Sequence, residues 1–252
     1  MRNIEYLYAF ELNVETLPTE KEAFAWLLSE NLELGVEEPK IAAAINEQLN
    51  HMELKSLDID AIRRIRDVAI RHNPKKIIEV GGGIGHLSAW LLDAFSSRQS
   101  FPEYTIVEAG NKFAAILLRL TQRFEASDWT HISGMRFQEL AGECNAWLIS
   151  NKALLNSSSL EATNAPAAIP ADLIIIDVGE EEQVECINDA LPLLSSNGLL
   201  LTIEPNVPFE GASDEEANLF QLWMDLIRDI QEKYRIGFVP LKISTLVAFM
   251  PK

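Results

Sequence analysis

The sequence predicts an α/β fold: a doubly wound, mostly parallel sheet of seven strands with an antiparallel C-terminal strand pair, preceded by an N-terminal helical arm. Three observations support this fold class. From Lys75 onward, short apolar runs alternate with helical stretches, as in βαβ units. The first apolar run ends in a glycine cluster that leads directly into a helix. The 252 residues are 48% apolar and 23% charged, which is typical of a globular chain with a full core.

Residues 1–57 form the predicted arm, and residues 58–252 form the predicted α/β domain. Thr19 and Glu22 predict a capping box, Pro39 predicts the start of a second helix, and residues 58–72 predict a third. We interpret the arginines of the third helix as a solvated face that neutralises the acidic arm: Arg63, Arg64, Arg66 and Arg71. We expect the arm to cover the functional site or to form a homodimer contact.

The elements of the domain follow in chain order. The predicted helices cover residues 86–95, 111–124 and about 213–234, and the predicted strands cover residues 77–80, 104–108, 130–133, 172–177, 199–203, 236–239 and 245–249. The run at 172–177 is apolar throughout its centre, as expected for a parallel strand buried on both faces. Residues 151–170 are rich in Ser, Asn, Ala and Pro, and they predict a flexible surface insertion.

Charge and composition argue against several functions and locations. The formal charge of −17 disfavours nucleic-acid and membrane partners, because both present anionic surfaces. The two cysteines are far apart in sequence and indicate neither a disulfide framework nor a zinc site, which favours the cytoplasm. The N-terminal residues lack an apolar leader, and no apolar run reaches the roughly 20 residues of a membrane helix. We therefore predict a cytoplasmic protein.

The most informative segment is the glycine loop, residues 79–86 with the sequence EVGGGIGH. A dinucleotide fingerprint would require a third glycine where His86 or Ser88 stands, so both of its registers fail. The remaining pattern is E-x-G-x-G-x-G. An acid at Glu79 would repel a pyrophosphate, but it suits a cofactor that carries an ammonium group and a sulfonium charge.

This pattern resembles motif I of the class I methyltransferases that use S-adenosylmethionine, whose domain is Rossmann-like. The resemblance extends from residue 58 to the C-terminus and implies that the glycine loop passes the amino-acid moiety of the cofactor. It also implies that Glu108, at the end of the second strand, accepts both ribose hydroxyls, a role that suits a carboxylate. The predicted cofactor-binding residues are Glu79, Gly81, Gly83, Gly85, His86, Glu108, Gly134 and Asp177.

Within that class, the chain is most similar to small-molecule O-methyltransferases of the catechol and caffeoyl-coenzyme A type. Asp177 matches the first ligand of their divalent metal, but their adjacent Asp-Asn pair is absent and Glu180 replaces their Lys base. We therefore predict S-adenosylmethionine as cofactor, do not favour a metal, and take His86, Asp177 and Glu204 as candidate catalytic residues, with Asn206 nearby. His86 has the most suitable unperturbed pKa of this group for a base.

The predicted function is S-adenosylmethionine-dependent methylation of a small molecule, with oxygen as the favoured acceptor atom. Two alternatives remain. An aminopropyltransferase of the spermidine-synthase type shares a triple-glycine loop and a strand-end acid, and it would use an Asp base in a polyamine channel. A non-catalytic S-adenosylmethionine-binding or interaction protein agrees with the incomplete metal set. An oxidoreductase is the least supported class, because the dinucleotide fingerprint fails.

Overall fold

The computed structural model describes residues 18–155, 165–209 and 211–252. Seven strands form one sheet: β1 (Lys76–Val80), β2 (Glu103–Val107), β3 (Thr130–Ser133), β4 (Ala171–Ile176), β5 (Leu194–Ile203), β6 (Tyr234–Pro240) and β7 (Thr245–Pro251). Their order is β3-β2-β1-β4-β5-β7-β6. The pairs among β1 to β5 are parallel, whereas β7 pairs antiparallel with both β5 and β6. The predicted fold class is confirmed.

Eight α-helices accompany these strands in the described residues: α1 (Glu20–Leu27), α2 (Lys40–His51), α3 (Ile59–His72), α4 (His86–Ser96), α5 (Asn111–Arg123), α6 (Phe137–Leu155), α7 (Glu180–Ala190) and α8 (Asp214–Ile230). They pack on both faces of the sheet and produce two apolar clusters. Trp90 lies fully buried in the cluster that includes α3, α4 and α5, and Trp223 in the cluster that includes α6, α7 and α8. The carboxyl ends of β1, β2 and β4 thereby remain accessible between the two helical layers.

The central strands pair in the way that their sequences predict. Ile174, Ile175 and Ile176 of β4 are buried and lie beside β1 and β5. An apolar strand flanked on both sides by parallel partners has no solvent face, which explains why it carries no polar alternation. This arrangement places the residues that follow β4 at the centre of the sheet's carboxyl edge.

The arginines of α3 anchor the arm and do not form the predicted solvated face. The guanidinium of Arg71 donates hydrogen bonds to the carbonyl oxygens of residues 26, 27, 29 and 30, at the C-terminal end of α1. Arg64 donates to the carbonyl of Leu28, and Arg63 pairs with Glu30. Carbonyls at a helix end lack intrahelical partners, so these side chains satisfy them.

Arg66 is buried, so among the arginines of α3 it departs furthest from the predicted solvated face. It forms an ion pair with Asp67 and donates to the carbonyl of Gly35, and its guanidinium lies 5.2 Å from the ring centre of Trp90. The other carboxylate oxygen of Asp67 accepts the N–H of Asn31. This buried pair fixes the segment between α1 and α2 against α3.

We expect Arg71→Ala to lower the free energy of unfolding by about 2 kcal/mol, because four carbonyl groups lose charge-assisted hydrogen bonds. Amide hydrogen exchange in α1 should become faster, with less change in β4. The control is Arg228→Ala, since Arg228 is exposed and its ion pairs are of the surface type that contributes about 0–1 kcal/mol. Equal urea midpoints for the two variants would contradict the anchoring role.

Both ends of the insertion predicted at residues 151–170 belong to the packed domain, so a surface insertion would be shorter than predicted. Residues 151–155 continue helix α6, and Ala167, Ala168 and Ile169 are buried in the core beside β4. The backbone N–H of Ala168 donates to Thr105 of β2, so this end of the segment belongs to the packed domain. The central part of the predicted insertion, residues 156–164, lies outside the described residues.

No helix of the described chain is long and apolar enough to cross a membrane.

Candidate functional site

The glycine loop joins β1 to α4 through three residues with positive φ, at 89° for Gly81, 52° for Gly83 and 93° for Gly85. An added Cβ on Gly81 would lie 1.9 Å from the backbone oxygen of Asp177, and one on Gly85 would lie 2.5 Å from Leu120. A Cβ on Gly83 would meet nothing within 4 Å. Gly81 and Gly85 therefore allow close packing, whereas Gly83 borders open space where a ligand could approach the backbone.

Glu108 connects this loop to the end of β2. One carboxylate oxygen accepts the N–H of Gly83 at 2.8 Å, and the other accepts the N–H of Gly110 at 2.7 Å. The carboxylate is thereby held in one orientation, with acceptor capacity remaining on both oxygens. The resemblance in sequence implies that Glu108 accepts the two hydroxyls of a ribose, and its two fixed oxygens are suited to accept hydroxyl groups.

Three cavities lie along the carboxyl edge of the sheet. The loop cavity, of about 400 Å³, lies over the glycine loop; the β3-side cavity, of about 540 Å³, lies beyond Glu108; and the β5-side cavity, of about 890 Å³, lies beyond Asp177. Gly81 and Glu108 line both the loop and the β3-side cavities, and Asp177 lines both the loop and the β5-side cavities. Together they form one trough where open α/β sheets bind ligands.

The β3-side cavity combines apolar and polar lining residues that were not predicted from the sequence. Val107, Met135 and Phe137 supply apolar surface, and the polar side chains are Arg136, Gln138, Glu139, Glu182 and Glu185. The apolar surface, with polar groups beside it, suits a flat heteroaromatic ring. The predicted residue Gly134 precedes Met135 but does not line any of the three cavities. The apolar residues directly after β3 were the available sequence signal.

Glu79, which the sequence predicts to bind the cofactor, lines none of the three cavities. Its carboxyl group is buried below the loop, where it accepts hydrogen bonds from the hydroxyls of Ser88 in α4 and Tyr104 in β2. Burial raises its pKa to about 7, although these two hydrogen bonds act in the opposite direction. Glu79 therefore supports the loop by connecting β1, α4 and β2 from within the core.

His86 is buried at the N-terminus of α4, and both of its ring nitrogens have partners. Nδ1 lies 2.8 Å from Oγ of Ser56, and Nε2 lies 2.7 Å from a carboxylate oxygen of Glu38. His86 and Ser56 line the loop cavity, but neither nitrogen of His86 is free for direct contact with a ligand. Glu38 and Ser56 come from the arm, and the sequence analysis missed both.

Asp177 follows β4 and lines the loop cavity and the β5-side cavity. Burial raises the pKa of this carboxyl group to about 7. A cation in the trough would stabilise the ionised carboxylate, because the attraction between the two charges compensates for the solvation that burial removes. The sequence predicts that Asp177 binds the cofactor and acts in catalysis, and the residue lies where these two cavities meet.

The residues that correspond to the metal ligands of the O-methyltransferases in the sequence resemblance do not form a suitable ligand set. The backbone and side-chain N–H groups of Asn206 both donate to one carboxylate oxygen of Glu180. Glu204 shares only a smaller cavity of about 190 Å³ with Asp177 and Asn206. Within the described residues, no group of three or more His, Cys, Asp or Glu side chains is arranged to hold a metal ion. We therefore derive no chemistry from a metal at this position.

The β5-side cavity is strongly acidic. Its lining includes one cation, Lys55, and five acids: Asp177, Glu180, Glu181, Glu215 and Glu216. Val207 and Phe209 add exposed apolar surface to the wall. A ligand with an apolar part and a polar or cationic group would match this combination.

No protein-family model and no curated protein sequence matches this chain. Solved structures do match it. An O-methyltransferase from Bacillus cereus in complex with S-adenosylhomocysteine has a TM-score of 0.61 at 15% identity, covering 90% of this chain and 97% of its own. The O-methyltransferase TomG from Streptomyces achromogenes, involved in tomaymycin synthesis and solved with S-adenosylmethionine, has a TM-score of 0.60 at 12% identity, with coverages of 87% and 93%.

A protein from Staphylococcus aureus, provisionally assigned as a caffeoyl-CoA O-methyltransferase, has a TM-score of 0.63 at 15% identity, covering 84% of this chain and 93% of its own. Each of these three structures aligns with this chain over at least 93% of its own length. The similarity confirms the predicted Rossmann-like fold and its resemblance to the O-methyltransferases at the level of structure.

Proposed function

We propose that this protein is an S-adenosylmethionine-dependent methyltransferase that acts on a small molecule, with oxygen as the favoured acceptor atom. The observation that carries the proposal is the contact between Glu108 and the N–H of Gly83, which aligns a diol-accepting carboxylate with the open glycine of the loop. Structural similarity to O-methyltransferases solved with S-adenosylmethionine or S-adenosylhomocysteine supports the same proposal.

The cofactor would occupy two of the three cavities. The β3-side cavity, with Met135 and Phe137, would hold the adenine ring, and Glu108 would accept the ribose hydroxyls. The amino-acid moiety would lie over Gly81 and Gly83 in the loop cavity. Gly85 would contribute through its packing on α5, and Glu79 through its support of the loop from the core. These two residues would shape the site without contacting the cofactor.

The methyl acceptor would occupy the β5-side cavity. When bound, the cofactor supplies a methyl group activated by a sulfonium charge, and transfer requires an acceptor atom in line with the methyl–sulfur bond. Asp177 lines both the loop cavity and the β5-side cavity, and its carboxylate would stabilise the cationic cofactor there. We propose no direct role for Glu204, because it lines neither of these two cavities.

The direct experiment is methyl transfer by the purified full chain with S-adenosylmethionine and a panel of catechols, phenols and amines. We expect S-adenosylhomocysteine to accumulate together with a methylated product for at least one small acceptor. Tight binding of S-adenosylmethionine without turnover on the whole panel would support the non-catalytic alternative. Failure to bind either cofactor form would contradict both functions.

The ionisation of Asp177 predicts how the preference between the two cofactor forms changes with pH. Because its pKa is raised to about 7, the carboxyl group ionises as the pH rises through this value. We expect the preference for S-adenosylmethionine over neutral S-adenosylhomocysteine to increase by about tenfold between pH 6 and pH 8, or roughly 1.4 kcal/mol. The ratio of the two dissociation constants, measured by calorimetry, should lose this pH dependence in Asp177→Asn. An unchanged pH dependence in that variant would exclude Asp177 as the group that recognises the sulfonium.

Aminopropyl transfer is the second candidate function, and the acidity of the β5-side cavity favours it. Five carboxylates around one lysine would suit a polyamine acceptor, and Asp177 could then serve as the base. Incubation with decarboxylated S-adenosylmethionine and putrescine separates the candidates. Formation of spermidine and methylthioadenosine would establish aminopropyl transfer, whereas S-adenosylhomocysteine formed from S-adenosylmethionine would establish methyl transfer.

We further propose that residues 1–57 act as a cap for the α/β domain and that the protein is cytoplasmic, with neither nucleic-acid nor membrane partners. Glu38 and Ser56 of the arm contact His86 beside the loop, which supports the role of a cap. The arm also exposes Trp26 and Leu32, and we propose that a second copy of the chain covers them in a homodimer. Sedimentation analysis of the wild type and of Leu32→Glu measures this association.

A further inference from the structure

The arm and the glycine loop together create a chain of three polar side chains. Glu38 precedes α2, His86 begins α4, and Ser56 lies between α2 and α3. The contacts are 2.7 Å from Glu38 to Nε2 of His86 and 2.8 Å from Nδ1 of His86 to the hydroxyl oxygen of Ser56. If the proton of the neutral ring is on Nε2, Glu38 accepts it and Nδ1 is free to accept the Ser56 hydroxyl.

We propose that Ser56, His86 and Glu38 form a proton relay that removes the proton from the methyl acceptor. This inference rests on the proposed methyltransferase function and assigns the base, for which the sequence predicts only the candidates His86, Asp177 and Glu204. Ser56 is the catalytic residue of the relay, because only its hydroxyl would contact the acceptor. His86 acts through Ser56, and Glu38 orients His86.

The position of Ser56 supports this role. Ser56 lines both the loop cavity, where the cofactor would lie, and the β5-side cavity, where the acceptor would lie. It is exposed to the trough, whereas His86 is buried behind it. An acceptor hydroxyl at this junction could therefore reach Ser56 but not either ring nitrogen of His86.

The reaction step is balanced without a further reactant. With the cofactor bound, the acceptor oxygen would form a bond to the methyl carbon while the carbon–sulfur bond breaks. The electron pair of the broken bond would remain on the sulfur, which changes from a sulfonium to the neutral thioether of S-adenosylhomocysteine. The acceptor proton passes to the oxygen of Ser56, and the Ser56 proton passes to Nδ1 of His86. The imidazolium that forms is stabilised by the carboxylate of Glu38, and it loses its proton to solvent after product release.

Other charged groups share the space around this relay. The loop cavity that His86 borders is also lined by Lys55, Glu108, Asp177, Glu181 and Glu182. Asp177 is the competing base, because its pKa is raised to about 7 by burial. An acidic limb in a pH–rate profile could therefore arise from Asp177 and not from the relay. The kinetic test for this reason includes variants of both Ser56 and Asp177.

The kinetic test compares Ser56→Ala, Ser56→Thr and Asp177→Asn on an acceptor identified with the panel. We expect Ser56→Ala to lower kcat by about a hundredfold with little change in KM for S-adenosylmethionine, and Ser56→Thr to restore most of the activity. The loss should be smaller for a more acidic acceptor, such as 4-nitrocatechol compared with catechol, because it needs a base less. A loss independent of acceptor acidity would show a structural role. Ser97→Ala, at the distant end of α4, is the matched control.

The decisive test needs no acceptor. Heteronuclear NMR of the imidazole nitrogens in the S-adenosylhomocysteine complex reports the protonation of each histidine, and the chain has only four, so His86→Gln assigns the signal. We expect the proton of the neutral His86 ring on Nε2, and a shift of the Nδ1 signal in Ser56→Ala. A proton on Nδ1 of the neutral ring would overturn the relay. Loss of S-adenosylhomocysteine binding by the wild type would instead refute the proposed function.

Discussion

Replacing Gly83 by Val should weaken S-adenosylhomocysteine binding by at least about a hundredfold, or roughly 3 kcal/mol. The wild-type residue leaves open space where a Cβ would stand, and this space belongs to the loop cavity proposed for the cofactor. A branched side chain would fill it and would disturb the N–H that donates to Glu108. Calorimetry on the wild type and the variant measures this loss directly.

Gly83 also has a φ of 52°, so part of the effect of valine is backbone strain of about 1–3 kcal/mol in the folded state. Gly211→Val is the matched control. Gly211 has a φ of 99° and open space around it, but it lines none of the three cavities. We expect similar strain in both variants and a loss of affinity only at Gly83. Equal affinities of the wild type and Gly83→Val for S-adenosylhomocysteine would show that the cofactor does not bind at the loop.

Gly81→Ala should have the largest effect on stability, a decrease of about 4 kcal/mol in the free energy of unfolding. Its φ of 89° is unfavourable for an L side chain, and the new Cβ would lie 1.9 Å from the backbone oxygen of Asp177. The carbonyl belongs to the chain directly after β4, so relief would require movement of a central strand.

The control for Gly81→Ala is Gly142→Ala. Gly142 lies on an exposed position of α6, and an added Cβ there would meet nothing within 4 Å. Because alanine favours the helix, we expect this variant to gain about 0.5–1 kcal/mol. Urea denaturation of both variants should therefore show changes of opposite sign. An unchanged midpoint for Gly81→Ala would mean that the loop adjusts without strain.

The strands could be predicted from sequence because their signal is local. The run at 172–177 is apolar at every central position, which is typical of a parallel strand covered on both faces. Helix α6 was not predicted, and its sequence around Gly142 and Asn145 explains why, since both residues have low helix propensity. Packing of Phe137, Leu140 and Ala141 on the sheet overrides that propensity.

The site was predictable in part. The glycine loop and Glu108 are recognisable because each lies at a strand end within a short sequence pattern. Glu79 belongs to the same pattern, but the pattern alone does not show that its carboxyl group is buried and bonded to Ser88 and Tyr104. Alternation along the strand places Glu79 on the same face as the buried Ile77, towards α4.

The partners of His86 could not be predicted from any local pattern. Glu38 is 48 positions away in sequence and Ser56 is 30 positions away, and only the folding of the arm brings them to the loop. The same holds for Arg66 and Arg71, whose partners in residues 26–35 become neighbours only when α1 packs against α3. In both cases residues that are far apart in sequence become partners only through tertiary contact.

A crystal structure of the protein with S-adenosylhomocysteine tests the central claim most directly. We expect the two ribose hydroxyls within hydrogen-bond distance of the Glu108 carboxylate, the adenine beside Met135 and Phe137, and the amino-acid moiety over Gly83. The sulfur should point towards the β5-side cavity, with Ser56 at its edge. A ligand bound elsewhere, or a ribose without contact to Glu108, would contradict the proposed site.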